Sequence, residues 1–494
     1  MLRFYNRLRE KFNLTIYGSK DSVLRGLKIA TLLASLIGVL NLIYYYGFPQ
    51  SLESKEISLY IIKGVFVIFI ISYLTRFLYS FHPLTFLLTT WFEGLLILLL
   101  IYDGISLYLF NVPLLENIFN RFGLESFTDF YVLFIQIYMM VIIGLEAAKA
   151  SRYLTQIDLR PSTTFMLSFL ILILTGTGMI MLPEMTTIDG SMPFIDALFT
   201  SASASCVTGL MVVDASTYFT FKGHVVILIL IQLGGLGIIS FAAFFASFLS
   251  GGNVGVKHAS IIMDYLSPES QYNTKSILRQ IILTTLTIEI LGAIVMFSLW
   301  DPAIEFDGTG DKIFQSIFHS IAAFCNAGIS TFHGGLYNEQ LRTSYILHLA
   351  FMLLMILGGI GFPVLRDLFG INHLRTRLKY PWKQWEVGTK ISIYTTGGLV
   401  IVCSIFYFFL EQDNTLSGMD TGESIIASVF QTVTRTGGYN TVDISQIGVP
   451  SLIMVMFLMF IGGSSASTAG GVKTSTLFIM LLSAYTTIKG NKKL

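Results

Sequence analysis

Residues 197–210 read ALFTSASASCVTGL, and the same plan returns as SIFHSIAAFCNAGIS at 316–330 and as FQTVTRTGGYNTVD at 430–443. Each stretch is a short apolar segment running into a glycine turn: SCVTGL (205–210), FCNAGI (324–329) and RTGGYN (435–440). Each is followed by a longer apolar run with a glycine pair: QLGGLGIISF (232–241), ILGGIGFPVL (356–365) and FIGGSSASTAGG (460–471). Gly209 and Gly328 are 119 residues apart, and Gly328 and Gly438 are 110 apart. One such turn would be an ordinary kink, since glycine is frequent in membrane helices. Three in the same context make one supersecondary unit, repeated in one orientation about an axis along the membrane normal.

Composition says where these units reside. The 494 residues are 53% hydrophobic and only 12% charged, and the mean hydropathy is +0.71. A soluble domain carries about 25% charged residues, so this chain could not cover a water-facing surface of its size. A cytosolic enzyme, a disordered chain and a disulfide scaffold are excluded. The three cysteines (Cys206, Cys325, Cys403) form no metal-ligand spacing.

A bilayer core needs roughly 20 apolar residues as helix. Such runs fall near 26–47, 58–80, 84–106, 128–148, 163–183, 224–249, 277–300, 343–365, 391–410 and 448–485, the last broken by a Gly/Ser stretch. The segments 193–206, 313–325 and 422–434 are too short to cross and read as re-entrant helices. With the basic N-terminus inside, the loop 366–390 is cytoplasmic and holds Arg366, Arg375, Arg377, Lys379, Lys383 and Lys390. Asp301, Glu305, Asp307 and Asp311, and Glu411, Asp413, Asp420 and Glu423, fall on the opposite side. This is the Lys/Arg bias that orients membrane proteins. The acids either concentrate cations at a mouth or are solvated loop surface. The basic loop either docks an acidic partner or only sets orientation.

Non-helical backbone at membrane depth is tolerated where protein buries it or water lines it. A short helix aims its carbonyl end, with partial negative charge, into the membrane. The loop after it can turn carbonyls toward an axis, where oxygen dipoles replace a cation's hydration shell. Gly209, Gly328 and Gly438 suit such a turn because glycine reaches backbone angles that a side chain forbids. Pro193, Asp311 and Asp420–Thr421 are good helix starts.

ALFTSASASCVTGL, SIFHSIAAFCNAGIS, FQTVTRTGGYNTVD and FIGGSSASTAGGVKT closely resemble the signatures of the Trk/Ktr/HKT cation transporters, specifically the bacterial potassium-uptake membrane subunit. The resemblance covers about residues 163–490. It implies an all-α membrane protein of tandem M1–P–M2, potassium-channel-like repeats with re-entrant pore helices, preceded by extra transmembrane helices. The expected division is 1–160 for a four-helix extension, then repeats at 161–260, 261–385 and 386–494. The implied selectivity filter comprises Val207, Thr208 and Gly209, then Asn326, Ala327 and Gly328, then Thr436, Gly437 and Gly438. The implied gate is a Gly-rich intramembrane loop with Gly462, Gly463, Ser467, Thr468, Gly470, Gly471 and Lys473. Potassium is the substrate, with no bound cofactor and no catalytic residue. The expected setting is a homodimer among membrane lipid with a cytosolic nucleotide-binding regulatory subunit, no nucleic acid, and a multi-pass cell (inner) membrane location with the N-terminus cytoplasmic. Glycine at 209 matches the potassium-selective branch.

Two departures stand out. Phe430 precedes Gly438 by eight residues, whereas Phe199 and Phe318 precede their glycines by ten, so the third turn is shortened. The family has four repeats, and three are legible here, which leaves as the alternative a non-conducting or auxiliary truncated subunit that needs another chain to complete the pore. Lys473 is either an electrostatic barrier or a snorkelling side chain. Val472 interrupts the G-K-[ST] run that a phosphate loop needs. Glu289 lies mid-span and Arg435 beside the third turn; a salt bridge between them would lower the cost of both charges.

Overall fold

The computed structural model describes residues 20–80, 83–91, 94, 98, 161–188, 190–251, 274–302, 304 and 306–489. The chain divides into two compact units, Met1–Asp158 and Leu159–Leu494. In the first, α1 (Lys20–Gly47) and α2 (Leu52–Leu78) form a helical hairpin followed by a short α3 (Pro83–Thr89). Ser51 caps α2 by accepting from Ser54 N at 3.2 Å. The buried Asn41 amide donates to Ser58 O at 3.0 Å and pins the two helices together. The expected span at 128–148 and most of that at 84–106 lie outside the described residues.

The second unit holds α4 (Pro161–Ile180), α5 (Phe194–Ser205), α6 (Phe221–Gly251), α7 (Thr274–Leu299), α8 (Thr309–Cys325), α9 (Tyr345–Gly359), α10 (Phe362–Phe369), α11 (Ile371–Lys379), α12 (Val387–Glu411), α13 (Thr421–Val433), α14 (Val449–Phe460) and α15 (Thr474–Ile488). Five helices of the described residues are long and apolar enough to cross a membrane, or six if α9 and α10 are one broken span. No named strand occurs among the described residues, only the isolated bridges Thr186–Phe219 and Ile461–Val472. The fold is helical, and α5, α8 and α13 each lie between two apolar helices as the sequence leads one to expect.

The helix starts follow local chemistry. Pro193 precedes α5, and Asp311 is in the first turn of α8. Asp420 and Glu423 form a reciprocal capping box on α13, with Asp420 N donating to Glu423 Oε2 at 3.1 Å.

The repeat is visible atom by atom. Ser201 Oγ donates to Ile173 O at 2.7 Å, and Ser320 Oγ donates to Glu289 O at 2.7 Å. A Cβ on Gly176 or Gly292 would meet these hydroxyls at 2.4 Å in both cases, and a leucine (Leu230 or Leu354) within 2.8 Å. In the third unit Ser404 Oγ donates to Thr432 Oγ1 at 3.2 Å. Ser201, Ser320 and Thr432 each follow their phenylalanine by two residues. The three short helices are therefore in register at mid-helix, and the two-residue shortening falls between Thr432 and Gly438. A 3-10 turn, Thr434–Thr436, absorbs it. The first two units use left-handed residues there instead, Val207 (φ 55°) and Asn326 (φ 59°).

One expectation is corrected. The run 343–365 is not a straight span: α9 stops at Gly359 and α10 leaves at 107° to it. Gly361 has φ +85°, and Pro363 opens α10. The carbonyls freed at the break accept bonds from the 460s loop, Ser464 N to Gly359 O at 2.8 Å and Thr468 N to Gly358 O at 3.3 Å. Neither partner is readable from the local sequence.

Candidate functional site

The three glycine turns meet. A Cβ on Gly209 (φ +84°) would come within 2.3 Å of Ala327 O and 3.2 Å of Gly328 Cα. A Cβ on Gly328 (φ +66°) would come within 2.5 Å of Gly437 O and 3.0 Å of Gly438 Cα. Gly438 (φ +77°) in turn faces Gly328 Cα, at 3.3 Å from its would-be Cβ. Glycine is required twice over here, for the left-handed angle and for backbone approach. Each turn also closes on the segment just before it: Thr208 N donates to Ser203 O of α5, Ala327 N to Ala322 O of α8, and Gly438 N to Thr434 O of the 3-10 turn that follows α13, at 2.8, 2.8 and 3.0 Å. The C-terminal, partially negative ends of α5, α8 and α13 thus converge on one place.

Side chains hold the turns against each other. Tyr439, 2% exposed, donates its hydroxyl to Ile329 O at 3.0 Å and packs its ring on Phe351 at 5.2 Å. His319 is buried, with Nε2 3.0 Å from Ser330 Oγ and Nδ1 2.9 Å from Gln315 O. Sequence reasoning missed both. Their signal was faint, a tyrosine next to a glycine pair and a lone histidine on an apolar helix.

The Gly/Ser stretch 461–473 is a loop between α14 and α15. Its neck is a short parallel bridge, with Gly462 N donating to Val472 O and Val472 N to Phe460 O, both at 3.0 Å. Ser464, Ser467 and Thr468 are buried. Ser464 Oγ is 2.7 Å from Ser392 Oγ of α12, and Ser467 Oγ donates to Ser464 O at 2.6 Å. Phe362 N donates to Ala466 O at 3.0 Å. Thr468 Oγ1 donates to Phe324 O at 3.2 Å, at the carbonyl end of α8. The loop is thus docked directly against the second turn.

Of the charged residues singled out from sequence, Glu289 and Arg435 do not pair with each other. Gln232 Nε2 donates to Glu289 Oε2 at 2.9 Å, and Arg435 Nε donates to Ile461 O at 3.2 Å. Arg435 therefore braces the third turn against the loop neck through a neutral carbonyl. Lys473 Nζ donates to Ala469 O at 2.7 Å inside the loop. Asp367 is matched by Arg377 and by Glu386 N, so part of the 366–390 charge is internal to that segment. Glu411 is fully buried and accepts from Asn414 Nδ2, Thr415 Oγ1 and Gly448 N at 2.9–3.0 Å. Glu423 serves as a cap, whereas Asp307 and Asp413 are exposed. Glu305 lies outside the described residues.

Asp214, five residues after Gly209, accepts from Ser216 N and Oγ at 2.9 and 2.7 Å and meets His333 Nδ1 at 2.5 Å. His333 is itself five residues after Gly328, so the pair ties the exits of two turns. Partial burial opposes the Asp214 charge, but the Ser216 bonds and His333 outweigh it and hold the carboxyl below its usual range. A depressed folded pKa adds stability that is present above the unfolded value of about 4 and is lost as pH falls through the folded value. Asp214→Ala is therefore expected to lower the thermal midpoint at pH 7, with the gap to the parent closing as the pH is taken below about 4. A gap that stays constant down to pH 3 in detergent melts would contradict this.

Comparison with known proteins agrees with this architecture. The family model TrkH, described as cation transport protein, matches residues 132–493. The Ktr system potassium uptake protein B of Bacillus subtilis is 34% identical over 340 residues, 67% of this chain and 72% of that one. The potassium/sodium uptake protein NtpJ of Enterococcus hirae is 32% identical over 337 residues, 68% of this chain and 72% of that one. The crystal structure of the potassium transporter TrkH from Vibrio parahaemolyticus superposes with a TM-score of 0.52 at 20% identity, covering 71% of this chain and 68% of that one. At that identity the likeness is one of fold.

Proposed function

This chain belongs to the TrkH family of cation transport proteins, and from that premise we propose that it carries potassium across the membrane through the meeting point of its three glycine turns. The observation that carries the reading is the mutual approach of the turns, Gly209 on Ala327 O and Gly328 on Gly437 O. The relatives are named as potassium or potassium/sodium uptake proteins. They are transporters and not enzymes, and the reading needs no bond to be made or broken.

In the proposed mechanism a potassium ion sheds water at the turns, where carbonyls of Val207–Gly209, Asn326–Gly328 and Thr436–Gly438 replace its hydration shell. The carbonyl ends of α5, α8 and α13 add favourable potential at the same place. The Gly462–Gly471 loop beneath is the gate. Its backbone is satisfied by α9 and α10 while docked, and its Ser464 and Thr468 hydroxyls by α12 and α8; swinging it aside opens the path. On this reading the protein is a multi-pass membrane subunit with a cytoplasmic N-terminus, a homodimer among lipid, working with a cytosolic nucleotide-binding regulator.

The test is complementation of a strain lacking potassium uptake, followed by ion competition. The chain is expected to restore growth at low potassium. Gly209→Ser is expected to lower the preference for potassium over sodium by about tenfold, since a serine Cβ at φ +84° must displace Ala327 O. Unchanged selectivity in an active variant would contradict the assignment of the first turn.

A further inference from the structure

We infer that Asn326 and Thr468 form a latch that ties the second glycine turn to the 461–473 loop, so that the loop cannot leave without releasing the turn. The inference rests on the conduction reading for its consequence, but its geometry stands alone. Asn326 is 2% exposed, and its backbone is fixed by Asn326 N donating to Ala323 O at 3.0 Å. Its Nδ2 lies 3.3 Å from Phe324 O, 3.2 Å from Met355 O and 3.1 Å from Thr468 Oγ1. Thr468 Oγ1 accepts from Asn326 and donates to Phe324 O at 3.2 Å, while the two amide hydrogens of Asn326 are shared among three acceptors.

The same carboxamide faces the third turn, since a Cβ on Gly437 would meet Asn326 Oδ1 at 3.3 Å. One side chain therefore bonds to its own turn, the α9 backbone and the loop, and borders the third turn. The left-handed angle by itself does not demand an amide. Val207 holds the matching place in the first turn at φ 55° with no amide at all, although a β-branched residue is a poor occupant of that region. What distinguishes the second turn is the loop docked against it. Withdrawing Thr468 breaks two buried hydrogen bonds at once, the one it accepts from Asn326 Nδ2 and the one it donates to Phe324 O, which biases the pair toward staying closed.

Cys325 supplies a readout independent of transport. It is buried, and its sulfur and the Thr468 methyl both border Gly235, at 2.6 and 3.9 Å from a Cβ added there, so it lies beside the loop. In a Cys206→Ser, Cys403→Ser background, modification of Cys325 by N-ethylmaleimide in native membranes follows loop release. Thr468→Val and Asn326→Gly, the latter keeping the left-handed angle accessible, are each expected to speed modification at least threefold. The double variant is expected to go no faster than the faster single, because the two side chains act as one contact. Thr468→Ser, which keeps the hydroxyl, is expected to restore the parent labelling rate. Equal rates in the parent and both singles, or additive effects in the double, would overturn the latch. Potassium uptake separates the two proposals. Faster labelling in a chain that carries no potassium upholds the latch and overturns the conduction reading, and uptake with unchanged labelling does the reverse.

Discussion

Gly328→Ala is expected to abolish potassium uptake, leaving an initial rate about a hundredfold or more below the parent. Its φ of +66° is a conformation that L side chains rarely adopt, with a cost of about 1–3 kcal/mol. The larger effect is positional. The new methyl would lie 2.5 Å from Gly437 O and 3.0 Å from Gly438 Cα, both backbone atoms that no rotamer change can move aside. Relief must come from shifting the third turn away from the second, which opens the carbonyl ring the ion would use. A loss of roughly 3 kcal/mol at the barrier is a hundredfold in rate. Rubidium uptake, normalised to membrane-inserted protein, measures it. Gly397→Ala in α12, where nothing lies within 4 Å of an added Cβ, is the control and is expected to keep the parent rate. Uptake above half of the parent in Gly328→Ala would refute the account of the turns.

Gly462→Ala is expected to act with the opposite sign and to raise the saturating uptake rate about fivefold, the effect of roughly 1 kcal/mol lost from the docked state. The clash is the most severe in the chain among the described residues: an added Cβ would fall 1.4 Å from Gly470 O and 2.9 Å from Gly471 Cα. The two segments of the loop neck run side by side in contact at this point, so the Gly462 N to Val472 O bond cannot survive. The loop then loses the closure that keeps its serines buried against α9 and α12. Gly463→Ala, whose Cβ would meet Gly359 O at 2.5 Å, is expected to shift the rate the same way by less. A normal rate in an inserted Gly462→Ala protein would sink the gating reading of this loop.

Much of the molecule was legible because its constraints are local. Gly209, Gly328 and Gly438 announce themselves by period, and each has the positive φ that makes glycine necessary. The Gly462–Gly471 run breaks an apolar span, and no helix continues through it. Asp420 and Glu423 cap α13 because the capping box needs only four consecutive residues. The matched serines two residues after Phe199 and Phe318 follow from the same periodicity.

Partners distant in sequence were not legible. Glu289 finds Gln232, 57 residues upstream, and not the arginine that charge alone would choose. A neutral amide donor at that helix contact meets the carboxyl without burying a second ion. Arg435 is met by a main-chain carbonyl, which has no sequence signature. The break after Gly359 is decided by a loop more than 100 residues later, because only that loop supplies donors for the freed carbonyls.

The amino-acid sequence by itself determined that this is a helical membrane protein, where its three glycine turns fall, and which stretch interrupts the last span. Those follow from hydropathy, period and backbone angle, each set by a few consecutive residues. Only the tertiary structure decided which turn touches which, and that the loop docks on the second turn through Asn326 and Thr468, 142 residues apart. Hydrogen bonds reward a pairing only after distant segments have been packed together, so their partners are properties of the fold and not of the local chain.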